Sequence, residues 1–131
     1  MEHAPGTTGT NNIVSSLHTS LNNFTQNNQI SGTQVVSGAT SNYKLYRLIW
    51  KSGNIQIEVE DEESGMIYNT LNFSRPDDAE PWVWPFDQEF FILLNLAIGG
   101  NMGGDEIDNE SFPQDFIIDY VKVMQIEGCS E

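Results

Sequence analysis

The sequence predicts an all-β fold, a sandwich of antiparallel strands. Short runs in which apolar and polar residues alternate recur along the chain, separated by turns rich in Gly, Asn and Pro. No stretch carries a convincing helical period. The 131 residues, 38% hydrophobic, suit one domain and can bury a real core if they form a complete folding unit.

The elements follow in order. Ile13–Thr19 reads as a first strand, with small polar residues between apolar ones. The Asn-rich stretch 22–28 is a turn or loop, and Gln34–Ser37 is a shorter strand candidate. Tyr43–Trp50 is aromatic-rich and β-prone. Lys51-Ser52-Gly53-Asn54 turns the chain. Ile55, Ile57 and Val59 then alternate with Gln56, Glu58 and Glu60, the pattern of a half-buried strand. After a turn at Glu62–Gly65, Met66–Leu71 resumes as a strand, so these segments make an antiparallel meander.

Residues 72–88 hold Pro76, Pro81 and Pro85 and predict a long ordered loop. Trp82 and Trp84 on that loop either stack on a sugar or pin the loop to the core. Glu89–Leu96 predicts a fully buried strand, Gly99–Glu110 a Gly-rich acidic loop, and Phe116–Gln125 the last strand. Strands at this spacing with long loops point to a two-sheet sandwich of the jelly-roll kind.

Composition excludes some partners. Formal net charge is −14, from 19 acidic and 5 basic residues. Such a chain repels phosphate backbones and anionic membrane surfaces. A neutral polymer such as polysaccharide fits better, although acidity also serves solubility. The single cysteine, Cys129, allows no internal disulfide. No apolar run has the length of a membrane span. Met1-Glu2-His3-Ala4-Pro5-Gly6 has no features of an export leader, so a secreted protein would carry its signal in sequence outside this one.

One block narrows the reading. Trp84-Pro85-Phe86-Asp87-Gln88-Glu89, followed by Phe90-Phe91-Ile92-Leu93-Leu94-Asn95-Leu96-Ala97-Ile98-Gly99-Gly100-Asn101-Met102-Gly103-Gly104, closely resembles the C-terminal part of family 16 glycoside hydrolases, in particular laminarinase-like β-1,3-glucanases. Phe112-Pro113-Gln114 and then Ile118-Asp119-Tyr120-Val121-Lys122-Val123 resemble that family's closing strand. Tyr43–Trp50 resembles the strand that usually ends in Glu-Trp. Met1-Glu2-His3 resembles the end of the motif Glu-x-Asp-x-x-Glu. The resemblance covers nearly the whole chain.

The resemblance implies a concanavalin A-like jelly-roll, here incomplete, with residues 1–131 as the C-terminal portion of one catalytic domain. It implies hydrolysis of internal β-1,3 or mixed β-1,3/1,4 glucosidic bonds by a retaining mechanism, which uses a nucleophilic carboxylate and an acid/base roughly 5–5.5 Å apart. Glu2 matches the acid/base. The nucleophile and the intervening Asp would precede Met1, so the isolated chain is expected to be inactive and to need the N-terminal half of the domain. His18 matches a strand His that faces the cleft near the acid/base. Asn101 and Met102 fall on a cleft loop where the family usually has Trp at the second position, and Met offers soft contact without a flat ring. Trp84 and Phe86 are candidates for the cleft wall or its support. Asp119 matches a carboxylate that often binds a structural Ca²⁺; the chemistry itself requires no cofactor. Lys44 and Ile49 replace the family's usual His and Glu, on the supporting side, with modest effects expected.

The implied location is secreted, periplasmic or at the cell surface. The alternatives are a non-catalytic β-glucan-binding lectin, or a hydrolase of the same family acting on agarose or carrageenan. A Glu-x-Asp pair just before Met1 would favour the hydrolase over the lectin. The acidic loop Asp105–Glu110 lacks the spaced ligands of an EF-hand and reads as solvated charge. Asn-x-Ser/Thr sequons begin at Asn23, Asn72 and Asn109.

Overall fold

Strand β1 (Asn12–Leu17) forms where the alternation predicts it, and its burial alternates with it. Ile13, Ser15 and Leu17 point inward, whereas Asn12, Val14 and Ser16 point out. Its partner β2 (Ile30–Val35) is antiparallel, with Val14 opposite Thr33 and Ser16 opposite Ser31. Between them a short 3-10 turn, Phe24–Gln26, is capped by Asn23, whose side chain accepts from the amides of Thr25 and Gln26. The structure, a computed structural model, describes residues 1–126. Cys129 lies outside the described residues.

The meander predicted from Tyr43 onward is a three-stranded antiparallel sheet in the order β3 (Leu45–Lys51), β4 (Asn54–Asp61), β5 (Met66–Ser74). Strand β4 is central and carries the core: Ile55, Ile57 and Val59 are buried. Its register with β5 shifts after Ile57, so Thr70 is an extra residue between the pairs Ile57–Leu71 and Glu58–Asn69. That bulge turns both Thr70 and Leu71 into the interior.

The two sheets pack face to face, all-β and antiparallel, as a jelly-roll sandwich requires. One apolar cluster joins Leu17 of β1, Ile55 and Ile57 of β4, Leu71 of β5, and Trp84 and Phe86. A second joins Ile13, Val36 and Val59. Trp84 enters the core because the loop tightens just before it: the amides of Val83 and Trp84 both donate to the Glu80 carbonyl. Arg75 and Asp87 clamp the ends of the same loop at 3.0 Å. An aromatic chain then runs Phe73–Trp84–Phe86–Phe90–Trp50, with ring centroids 5.2–6.3 Å apart.

Two expectations about the C-terminal third need correcting. Segments 89–96 and 116–125 belong to no strand, and their apolar side chains are exposed, Phe91 at 81% and Leu93 at 75%. An apolar strand is stable as a strand when its edges are laddered and its faces covered. The described residues supply little of either for these segments beyond the contacts of the Phe90 ring with Trp50 and Phe86. Among the described residues α-helix is limited to two single turns, α1 (Pro5–Thr8) and α2 (Gly100–Gly103). Among the described residues no helix is long and apolar enough to cross a membrane.

Candidate functional site

The site is built on the outer face of the β1–β2 pair. Glu2 forms an isolated antiparallel bridge to Val14 on the free edge of β1. Its amide donates to the Val14 carbonyl at 2.7 Å, and the Val14 amide donates back at 2.9 Å. Directly opposed residues share a face. The Glu2 carboxylate is therefore on the side of Val14, Ser16, Ser31 and Thr33, opposite the buried Ile13 and Leu17. Glu2 is exposed.

His18 follows β1, exposed between the buried Leu17 and Thr19, so the alternation puts it on the Glu2 face. Its ring meets Phe24 edge to face at 6.1 Å. It stands four residues from Val14, ~13 Å along an extended strand. Glu2 and His18 thus share a surface without touching. Between them sit Ser16 and Ser31, whose hydroxyls are hydrogen-bonded at 2.9 Å. Sequence alone singles out neither serine. The available signal is the alternation of β1, but the pairing partner on β2 is visible only in the register.

The Gly-rich loop joins the same end of the sheet. Thr7 in α1 donates from its hydroxyl to the Met102 carbonyl at 2.9 Å, seating α2 against the segment that follows Glu2. His3 anchors that segment by donating from Nε2 to the Thr10 carbonyl at 2.9 Å. Asn101 and Met102 are therefore held against α1, the turn that follows Glu2, with Asn101 exposed and Met102 half-buried. After them Asp108 caps a 3-10 turn (Asn109–Ser111), accepting from the Ser111 hydroxyl and the Glu110 amide, and these bonds hold its carboxyl below the usual range.

Trp84, 1% exposed, and Phe86 lie in the core and not on the Glu2 face. They pack with Leu17, the residue before His18, and so support that end of β1 from beneath. The Trp50 indole donates to the Phe86 carbonyl at 2.9 Å, while the buried Trp84 Nε1 has no protein partner among the described residues. Asp119 is exposed on the unladdered segment 116–125. Among the described residues no three His, Cys, Asp or Glu side chains gather to hold a metal ion. Asp119 alone does not fit a calcium site, which takes 6–8 oxygens.

Lys44 departs from the modest role expected of it. Its side chain is 1% exposed and its ammonium meets Asp61 at 2.8 Å. Asp61 also accepts from the Ser64 hydroxyl at 2.8 Å. These partners, Lys44 first, hold the Asp61 carboxyl below its ordinary value. On the opposite face of β4, Arg47 bridges Glu58 at 2.8 Å and also Glu60.

No protein-family model matches the chain, and no solved structure is significantly similar to it. Curated proteins are. A β-glucanase of Rhodothermus marinus is 33% identical over 113 residues, 85% of this chain and 38% of that protein. Glucan endo-1,3-beta-glucosidase A1 of Niallia circulans is 32% identical over 84 residues, 63% of this chain and 12% of that protein. A keratan-sulfate endo-1,4-beta-galactosidase of Sphingobacterium multivorum is 28% identical over 118 residues, 88% of this chain and 26% of that protein. The chain thus spans well under half the length of each. Along most of its own length, it is homologous to the β-glucanase and endo-glycosidase members of glycoside hydrolase family 16.

Proposed function

We propose that this chain contributes the acid/base and part of the sugar-binding face of a retaining endo-β-1,3-glucanase. The observation that carries the reading is the placement of Glu2: its backbone is held by two hydrogen bonds to β1, which puts its carboxyl group on the solvent face of a sheet whose other face is core. The names of two relatives, a β-glucanase and a glucan endo-1,3-beta-glucosidase, supply the substrate class. The hydroxyl side chains on the Glu2 face suit an uncharged polymer.

A retaining glycosidase needs a second carboxyl roughly 5–5.5 Å from the first. The outward residues of β1 and β2 include none: Asn12, Val14, Ser16, Ser31, Thr33 and Val35. We assign the nucleophile to the strand that runs into Glu2, where the motif Glu-x-Asp-x-x-Glu puts it five residues earlier on the same face, in the N-terminal half of the domain. The same half would ladder with segments 89–96 and 116–125, and would supply the oxygens that Asp119 lacks for calcium. On this reading the enzyme is secreted, periplasmic or at the cell surface, where polymeric glucan is met.

In this scheme Glu2 first protonates the departing glycosidic oxygen while the nucleophile forms a glycosyl-enzyme. Glu2 then takes a proton from the water that releases the sugar. The test measures reducing-sugar release from β-1,3-glucan. A protein carrying this chain together with the preceding half hydrolyses it, and Glu2→Gln lowers kcat by about 10²–10⁴-fold. The 131 residues alone release none. Binding without turnover in the longer protein would replace the hydrolase with a glucan-binding lectin. Hydrolysis by the isolated chain would overturn the two-part assignment.

A further inference from the structure

We propose that the Ser16–Ser31 hydroxyl pair is a positioning element for the glucan, binding a sugar hydroxyl between the acid/base and His18. The inference rests on the hydrolase reading of Glu2. It starts from rows of residues on the outer face of β1–β2. Glu2, Val14 and Thr33 form one row across three neighbouring segments. Ser16 and Ser31 form the next row, ~6.7 Å further along β1. His18 lies beyond it on the same face. A sugar seated at Glu2 therefore has the two serines one row away, on the side toward the imidazole.

The chemistry of the pair suits that position. Each hydroxyl donates one hydrogen bond and accepts two. The 2.9 Å bond between the two Oγ atoms consumes one donor and one acceptor, leaving a free donor and free acceptors. A sugar hydroxyl also donates and accepts, so it can close a cooperative three-membered chain of hydroxyls. The mutual bond orients both side chains before sugar arrives, which lowers the ordering cost of binding.

The contrast with Ser15 shows that the pair is not needed to hold the sheets together. Ser15 points inward and meets Thr70 across the sandwich at 2.6 Å, where both are buried. Ser16, one residue on, points to solvent with Ser31, and their bond joins two strands already laddered by backbone. Their removal therefore leaves the core untouched.

The experiment uses the longer protein in a Glu2→Gln background, which permits equilibrium binding of β-1,3-linked gluco-oligosaccharides without turnover. Ser16→Ala/Ser31→Ala weakens Kd about three- to ten-fold, the worth of a neutral hydrogen bond or two. The melting temperature stays that of the parent. Ser31→Thr, which keeps the hydroxyl, stays within about two-fold of the parent. In the active protein the double alanine variant raises KM more than it lowers kcat. Ser31→Ala alone, at an exposed site, supplies the same readout should the double variant fold poorly. Unchanged affinity in the alanine variants, with the parent binding normally, overturns the inference and leaves the hydrolase reading standing. A parent that neither binds nor cleaves β-glucan removes both.

Discussion

The carbonyl oxygen of Thr70 occupies the space that any side chain on Gly32 would need. A Cβ built on Gly32 falls 1.9 Å from that oxygen, far inside van der Waals contact. Strand β2 of one sheet here touches the bulge of β5 in the other. The glycine is what lets the two sheets approach at this point, and the contact is to backbone, which cannot rotate away.

Gly32→Ala is therefore expected to destabilise the sandwich by at least the ~1–3 kcal/mol typical of an overpacked core. Denaturant unfolding of the longer protein checks this. Gly53, in the turn between β3 and β4, has nothing within 4 Å of the position a methyl group would take, and serves as the control. Gly53→Ala is expected to stay within about 0.5 kcal/mol. Equal tolerance at the two positions would mean that the sheets do not meet as described.

The same bulge makes a polar link. Thr70 donates from its hydroxyl to the Ile57 carbonyl at 2.9 Å and shares a 2.6 Å bond with Ser15. All the atoms involved are buried, so breaking one partner leaves the others unsatisfied. Thr70→Val is expected to cost about 1–3 kcal/mol, and Ser15→Ala a similar amount. Because they share a bond, the double variant should cost less than the sum, by about 0.5–3 kcal/mol in a double-mutant cycle. Strict additivity would deny the bond across the sandwich.

Features of this fold are legible in the sequence in proportion to how local their cause is. Alternation at Ile55, Ile57 and Val59 locates β4, and the turn at Lys51–Asn54 locates its hairpin with β3. The polar inward residues are hidden for the opposite reason. Ser15, Thr70 and Lys44 look like surface residues until a partner far along the chain is known. The outer placement of Glu2 beside Val14 is likewise invisible, since it depends on a bridge across a turn of α1. The apolar run 90–98 predicts a buried strand because strands of that composition need cover. The described residues do not provide it.

Asp61 gives the fold a pH dependence with a definite sign. Its carboxyl is held below its ordinary value by Lys44 and Ser64. A depressed carboxylate contributes stability that is complete above the unfolded-state value, near 3.9, and is lost as pH falls through the folded one. The contribution of this group to stability should hold down to about pH 4 and decline below it as the carboxyl protonates. Asp61→Asn should flatten that part of the curve, and Lys44→Met should return the Asp61 titration upward when followed by NMR. An unchanged acid limb in Asp61→Asn would show that other carboxylates carry it.

His18 allows the sharpest separation of roles on the Glu2 face. The ~13 Å of strand between its row and that of Glu2 is too long for a hydrogen bond. In this register the imidazole is therefore expected to meet a substrate hydroxyl and not the acid/base proton, the two roles that the family resemblance leaves open to it. If it contacts sugar, His18→Ala should lower kcat/KM for β-1,3-glucan by about ten-fold or less, in the range of one lost hydrogen bond. The pH at which activity falls on the side governed by Glu2 should stay where it was, because the carboxyl's surroundings are unaltered. His18→Asn, which keeps a donor, should recover part of the loss. A pH profile displaced by His18→Ala would instead place the imidazole in contact with Glu2 in the working enzyme, and the register of Glu2 with Val14 would have to shift along β1 to allow it.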